Sequence, residues 1–385
     1  MPGGTSTIAT RQEADLTEHA DPTTYRHALH LTNGDCTVSG LRGTGLAERI
    51  VPWRDVLHEG PVPDVPEPEL REVRVAFLTG KHAGDHGTAA QLAERDAAVA
   101  DHRGGEYVLW FEADLYDQLQ LIQILAQLRT LEVPAQRVTL ICVGEYPGIA
   151  HFGGLGQLSS DQLRGLASSV ATTLTEAALE YAALAWAAFR ATDPTRLAGI
   201  SAAPSNELRF VAEAFDRLAR EYPSTRDGLS LTERRILAAV AGGASTAGAV
   251  FDRVAARELR PFLGDTWCFD RIARLIAADV PLLQVSSVEP TGRRAVAVEA
   301  RTGVRVTPTG RLVLKGRDDH LALNGVDRWI GGVHLSGDTV PWRWDEGTET
   351  VIFLREPVSQ QARAPGTSLP PRGDARRRPA GPGAR

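Results

Sequence analysis

The stretch YVLWFEADLYDQLQLIQILAQLRTLEVPAQRVTLICV, residues 107–143, decides the fold class. Its two ends, Tyr107–Glu112 and Arg137–Val143, are continuous apolar runs of strand length. Between them Asp114 stands where a helix cap belongs, and Leu115, Leu119, Ile122, Leu125, Ala126 and Leu128 recur at helical spacing. Strands that are apolar on both faces and separated by a helix predict a parallel sheet covered on both sides.

Upstream the same alternation continues. LHLT (Leu29–Thr32) reads as a strand broken by NGDC, and Thr37–Gly43 offers one or two helical turns. RIVPW (Arg49–Trp53) reads as a second strand, Val73–Leu78 is a third apolar run, and Thr88–His102 is an alanine-rich helix. Residues 25–158 are therefore expected to form a parallel α/β domain. Residues 159–227 read as helical, with a cap at Ser160-Asp161 and further starts at Asp193-Pro194 and Pro204-Ser205. Residues 228–355 begin with three helical patterns, capped at Thr232, in STAGAVFDRVAARE, and at Asp265 or Thr266. LLQVSSV, TGRR, AVAVEA and VRVTPTGRLVL then read as β. Three helices and a hairpin are the order of a winged helix, and Val326–Leu354, with Trp329, Trp342 and Trp344, reads as a β extension. Residues 1–24 and the Arg/Pro/Gly-rich 356–385 read as a disordered lead and tail. The expected class is α/β: a parallel α/β N-terminal domain, a helical middle and a winged-helix-like C-terminal domain.

The chain has 385 residues with 42 basic and 48 acidic side chains, net −6, which excludes a uniformly basic nucleic-acid binder. The acidity is concentrated in residues 25–165, at net −7, while residues 229–345 carry net +3 and the tail net +4. Of the basic residues only Lys81 and Lys315 are lysines, so an arginine here is a weak sign of a phosphate clamp. Cys36, Cys142 and Cys268 form no CxxC pair, which argues against a disulfide framework or a structural zinc and fits a reducing cytoplasm. No secretory h-region and no membrane-length apolar run are read, so no membrane partner is expected.

In open parallel sheets ligands bind beyond the carboxyl ends of the strands. There the sequence collects Asn33, Gly34 and Asp35; then Arg54, Asp55, His58 and Glu59; then Glu112, Asp114, Tyr116 and Asp117; then Glu145, Tyr146 and His151. Asn33-Gly34-Asp35 at a helix start could present amides to an anion, with Arg54 and Asp114 nearby as ligand-binding groups. His58, Glu59, Asp55 and Glu112 are the acid/base candidates. The plainer alternative is a turn glycine with capping aspartates and a hydrogen-bonded loop histidine. GxGxxG, Walker A and G-x-S-x-G are absent, and no spacing enforces a metal site, so no metal and no particular cofactor are assigned. Cys36 is read as a small thiol rather than a nucleophile, and Lys81–His86 as a solvated loop.

If the third block binds DNA, Trp267–Ala278 is the recognition position, with Arg271 and Arg274 as its basic residues and Arg293 and Arg294 in the wing. Asp265, Asp270 and Asp279 oppose them, which ranks a docking role ahead of DNA. Trp329, His334, Trp342 and Trp344 could line an aromatic pocket, with cross-strand packing the commoner arrangement. The expectations are therefore an anionic or nucleotide-like small molecule at the strand ends, DNA as the alternative partner, and an interaction scaffold as the third reading.

The run HLTNGDCTVSGLRGTGLAERIVPWRDVLHEGPVP, followed by YVLWFEADLYDQLQLIQILAQL, resembles the bacterial family called domain of unknown function 1835. Asn33, Gly34, Asp35, Trp53, Arg54, Asp55, Leu57, His58, Glu59, Gly60, Pro61, Trp110, Glu112, Asp117 and Gln118 carry the resemblance, which covers about residues 27–145. FGGLGQLSSDQL, PSTRDGLSLTERRIL and GVDRWIGGVHL with WRWD resemble the longer members. The resemblance implies no substrate, because the family has no established activity. LSLTERRILAAVAGGAS separately resembles helix-turn-helix segments of sigma factors.

Overall fold

The computed structural model describes residues 22–81, 87–150, 152–286 and 297–354. The elements around the opening stretch are β1 (Leu29–Thr32), α1 (Asp35–Thr44), β2 (Arg49–Pro52), α2 (Glu67–Lys81), α3 (Thr88–Asp101), β3 (Tyr107–Glu112), α4 (Leu115–Thr130) and β4 (Val138–Val143). The four strands pair in parallel in the order β2-β1-β3-β4, with Leu31 opposite both Val51 and Leu109 and with Leu109 opposite Leu140. β5 (Thr172–Thr173) adds a short antiparallel edge beside β4. The class is α/β. Along β3, Tyr107, Leu109 and Phe111 join the apolar cluster on one face, while Val108 and Trp110 join the cluster on the other. Two-sided burial is why these strands lack alternation.

The apolar run Val73–Leu78 lies inside α2. Its buried positions are Leu70, Arg74 and Leu78, four residues apart, so the helical period governs the segment.

The chain continues through α5 (Ser160–Ser169), α6 (Glu176–Arg190), α7 (Arg196–Ala202), α8 (Val211–Ala219), α9 (Leu231–Ala241), α10 (Ala247–Ala255) and α11 (Asp265–Ala277). Caps sit one or two residues before the expected ones: Ser159 with Gln162 and Ser230 with Glu233 close capping boxes, and Gly264 precedes α11. β6 (Leu283–Val285) and β7 (Val304–Val306) follow as an antiparallel pair. TGRR and the first two residues of AVAVEA lie outside the described residues; its other four, 297–300, were expected as β but form loop and turn rather than strand. Of VRVTPTGRLVL only the first three residues are strand. Thr307 accepts from the Gly310 amide and Pro308 opens α12 (Pro308–Leu314), because proline at the first helical position has no amide to lose. The chain then runs through α13 (His320–Asn324), β8 (Val326–Ile330), β9 (Val333–Gly337), β10 (Trp342–Asp345) and β11 (Thr350–Phe353).

The apolar clusters divide the chain differently from the sequence blocks. Leu229–Val313 encloses one cluster, built from α9–α12, β6 and β7. Ile330, Val333, Leu335, Trp344 and Val351, from the β extension, instead join the cluster under the sheet with α4, α6 and α8. The turn Gly331-Gly332 makes that possible. A Cβ on Gly331 would lie 2.1 Å from the Phe189 carbonyl oxygen, and one on Gly332 1.8 Å from that of Arg190. The Gly332 amide donates to the Phe189 carbonyl at 3.1 Å and the Val62 amide to the Gly331 carbonyl at 2.9 Å. Two glycines thus let the hairpin tip touch the end of α6 and the loop after β2. Among the described residues, no helix is long and apolar enough to cross a membrane.

Candidate functional site

β1 has β2 on one side and β3 on the other, so the strand order reverses between β1 and β3. Connections leave the two strands on opposite faces there and open a crevice at their carboxyl ends. Asn33 ends β1 and Glu112 ends β3. Asp114 caps α4 by accepting from the Asp117 amide at 3.0 Å. Asp117 projects back from the first turn, where its carboxylate accepts from Asn33 Nδ2 at 2.8 Å and from the Glu112 amide at 2.5 Å. Glu112 Oε1 accepts from the Leu155 amide at 2.6 Å. Gly154 has φ +135°, and a Cβ there would lie 2.5 Å from Glu112 Oε2, so only glycine lets this loop close over the carboxylate.

One oxygen from each of Glu112, Asp114 and Asp117 lies within 4.8 Å of the others. Glu112 and Asp117 are buried and Asp114 is half-buried. Burial, reinforced by the Asp114 charge, pushes Glu112 up to about 8. Burial pushes Asp114 up to about 7, and burial with the Glu112 and Asp114 charges holds Asp117 well above the carboxylate range. The three share their protons as a unit. No arginine or lysine pairs with any of them among the described residues, so a proton or a bound cation must offset the charge. A trio of carboxylate oxygens beside an amide suits a hard divalent cation.

Asp117 was assigned no role from the sequence. Its signal was there: three acids within six positions where an apolar strand runs into a helix cap.

The remaining candidates do not join this cluster. Gly34 is extended, with open space around its Cβ position, so the turn does not require glycine. Asp35 and Arg54 point outward and pair with each other at 2.6 and 2.8 Å on the wall of a separate cleft. Asp55 is fully buried against Arg74, at 2.7 Å, and Arg74 also donates to the carbonyls of Val56, Glu59 and Pro61. This loop is wrapped around an internal guanidinium, and the pair holds it in place. Glu59 pairs with Arg271 of α11, both buried. Burial opposes ionisation of Glu59, but the guanidinium groups of Arg271 and Arg328 outweigh it and hold the carboxyl below its ordinary value. His58 is wedged edge-on between Tyr116 and Phe262, at 5.9 and 5.1 Å, and neither ring nitrogen has a partner among the described residues. Burial pushes it down to about 4. The acid/base candidates Asp55, His58 and Glu59 therefore stand in the supporting structure of the loop and of the junction with α11.

The expected recognition helix is buried along the face that carries Trp267 and Arg271. Trp267 stacks on Phe77 of α2 at 5.9 Å, and Arg271 is 2% exposed and committed to Glu59. A guanidinium so held cannot reach a base edge. Arg274 pairs with Asp270 at 2.8 Å on the exposed side. Arg293, Arg294 and His151 lie outside the described residues. The aromatic segment is cross-strand packing: Trp329 stacks on His334 at 4.5 Å and Trp342 meets Phe353 edge-on at 4.8 Å. Cys36 is exposed, and Cys268 is buried in the cluster built from α9–α12, β6 and β7.

No family model matches the chain, and no curated protein matches it. A solved structure described as the Plasmodium falciparum topoisomerase II DNA-binding, cleavage and re-ligation domain is similar at 11% identity with a TM-score of 0.43. The alignment covers 91% of this chain and 57% of that one, so the chain spans little more than half the length of that structure. Likeness at this level assigns no function.

Proposed function

We propose that the protein binds a small anionic or nucleotide-like ligand at the carboxyl edge of its parallel sheet, through a divalent cation held by Glu112, Asp114 and Asp117. The observation that carries this reading is a buried carboxylate trio with no basic partner among the described residues, at the point where the strand order reverses. Carboxylates alone would repel an anion. A cation such as Mg²⁺, bound through one or two carboxylates, commonly keeps its remaining positions for waters and phosphate oxygens. Asn33 fixes Asp117 from the other side of the crevice and ties the end of β1 into the same site. Asn33, Glu112 and Asp117 are also among the residues that carry the resemblance to the domain of unknown function 1835 family. The winged-helix-like domain expected over residues 228–355 is read as a docking unit. The Trp267–Phe77 stack and the Arg271–Glu59 pair support docking over DNA binding.

Calorimetric and thermal-shift titration with Mg²⁺, Mn²⁺ and Ca²⁺ tests the reading. At pH 8 the wild type should bind one equivalent and melt higher, and Glu112→Gln and Asp114→Asn should lose both effects. If none of these cations binds, or both variants bind as the wild type does, the reading is wrong.

A further inference from the structure

A second group of charges lies one strand along the same edge. Past the end of β4, a cleft of about 550 Å³ is lined by Gly144, Tyr146, Ser169, Phe210 and the side chains of Arg209 and Arg260. Its size is that of a small-molecule pocket.

The two arginines come from distant segments and meet on one ring. The guanidinium carbon of Arg209 lies 4.6 Å from the Phe210 ring centre, and that of Arg260 lies 5.4 Å from it. Each gains from the ring face, and two guanidinium groups gathered on one phenyl ring favour an anion beside them. Arg209 is exposed and pairs with no carboxylate among the described residues. Arg260 donates Nη1 to the Gly144 carbonyl at 2.8 Å, while its Nε lies 3.4 Å from Glu213 and makes no hydrogen bond. Glu145 is the acidic group on the cleft wall. Phe210 is also the residue from which α8 starts, with no side-chain cap, so the positive end of that helix dipole adds to the same wall.

The arginine cleft also adjoins the carboxylates. Val143, just before Gly144, is the register partner of Glu112. A Cβ on Gly144 would lie 2.8 Å from both the Ala113 Cβ and the Arg260 guanidinium carbon.

We infer that Arg209 and Arg260 form an anion subsite, shaped for the phosphate or carboxylate end of a small molecule whose other end reaches the switch point between β1 and β3. This rests on the reading of the edge as a ligand site, and it adds to the cation position a second anchor, in the arginine cleft, for an anionic group of the same ligand.

The test is titration of the full chain with inorganic phosphate, pyrophosphate and ADP, first in EDTA and then with Mg²⁺. In EDTA at least one probe should bind the wild type. Arg209→Gln should weaken it about tenfold or more, the worth of one charged hydrogen bond. Arg209 is exposed, so this variant should melt as the wild type does. Arg260→Gln should weaken binding similarly. Unchanged binding in both arginine variants overturns the inference. If no probe binds while Mg²⁺ still raises the melting temperature through Glu112 and Asp114, the anion subsite fails and the cation site stands. A DNA duplex that displaces pyrophosphate through the same arginines at lower concentration overturns the small-molecule assignment.

Discussion

His58 and Asp55 follow one another within a short loop, yet burial gives them different kinds of consequence. The imidazole is neutral in the fold because burial pushes it down to about 4, whereas in the unfolded chain it titrates near 6.5. Between those values the unfolded chain takes up a proton that the fold refuses. Stability from this group is therefore complete above about pH 6.5 and falls as the pH drops toward 4, by up to about 3 kcal/mol. Urea midpoints at pH 7 and pH 5 should show a smaller acid loss in His58→Leu than in the wild type; an equal loss would contradict this account. Asp55 is the opposite case, a buried carboxylate with a matched partner. Arg74→Ala should leave it uncompensated and cost about 3–5 kcal/mol in urea unfolding, and Asp55→Ala should cost a similar amount. The sequence listed both residues at a strand end, where acid/base groups are found. It could not show that Arg74, reached through a helix nineteen positions on, turns inward to meet Asp55.

At the scale of elements, α11 and the β8–β9 hairpin are the pieces whose role is set by what they touch. Helix α11 was legible as a helix because Trp267, Cys268, Arg271, Ile272 and Leu275 recur at helical spacing. Its orientation was not, because an arginine on its face serves a groove or a buried glutamate equally well in sequence. Arg271→Met removes one partner of a buried pair. It should leave Glu59 unpaired and destabilise the junction by about 3 kcal/mol, read as an earlier or split calorimetric transition. A single transition at the wild-type temperature would contradict the docking of α11 through this pair. Hairpin tip and α6 impose a tighter constraint. Gly332→Ala puts a methyl group into the Arg190 carbonyl, where backbone cannot yield, and should cost at least about 1–3 kcal/mol by the same unfolding measurement.

Across the whole molecule, the trio and His58 pull stability in opposite directions with pH. Glu112 and Asp114 are raised in the fold, so the folded chain holds protons that the unfolded one releases from the ordinary carboxylate range upward. Their contribution is present below about pH 4 and is lost as the pH rises through about 7 to 8. A bound divalent cation replaces those protons, so Mg²⁺ should raise the melting temperature more at pH 8 than at pH 6. At a hundred times its dissociation constant, the gain should be about 2.7 kcal/mol. A rise that is equal at both pH values would argue that the ion binds elsewhere. The strand–helix–strand pattern of 107–143 determined the class, the parallel sheet and the edge at which polar groups gather, because two-sided burial and helical period are written locally in side-chain polarity. Which of those groups meet was decided by the order β2-β1-β3-β4. That order sets Asn33 against Asp117, while the three-dimensional course of the loop after β2 carries Asp55, His58 and Glu59 into ion pairs and packing. Strand order follows from how distant helices cover the two faces and from the burial of charges with partners far along the chain, neither of which a local pattern records.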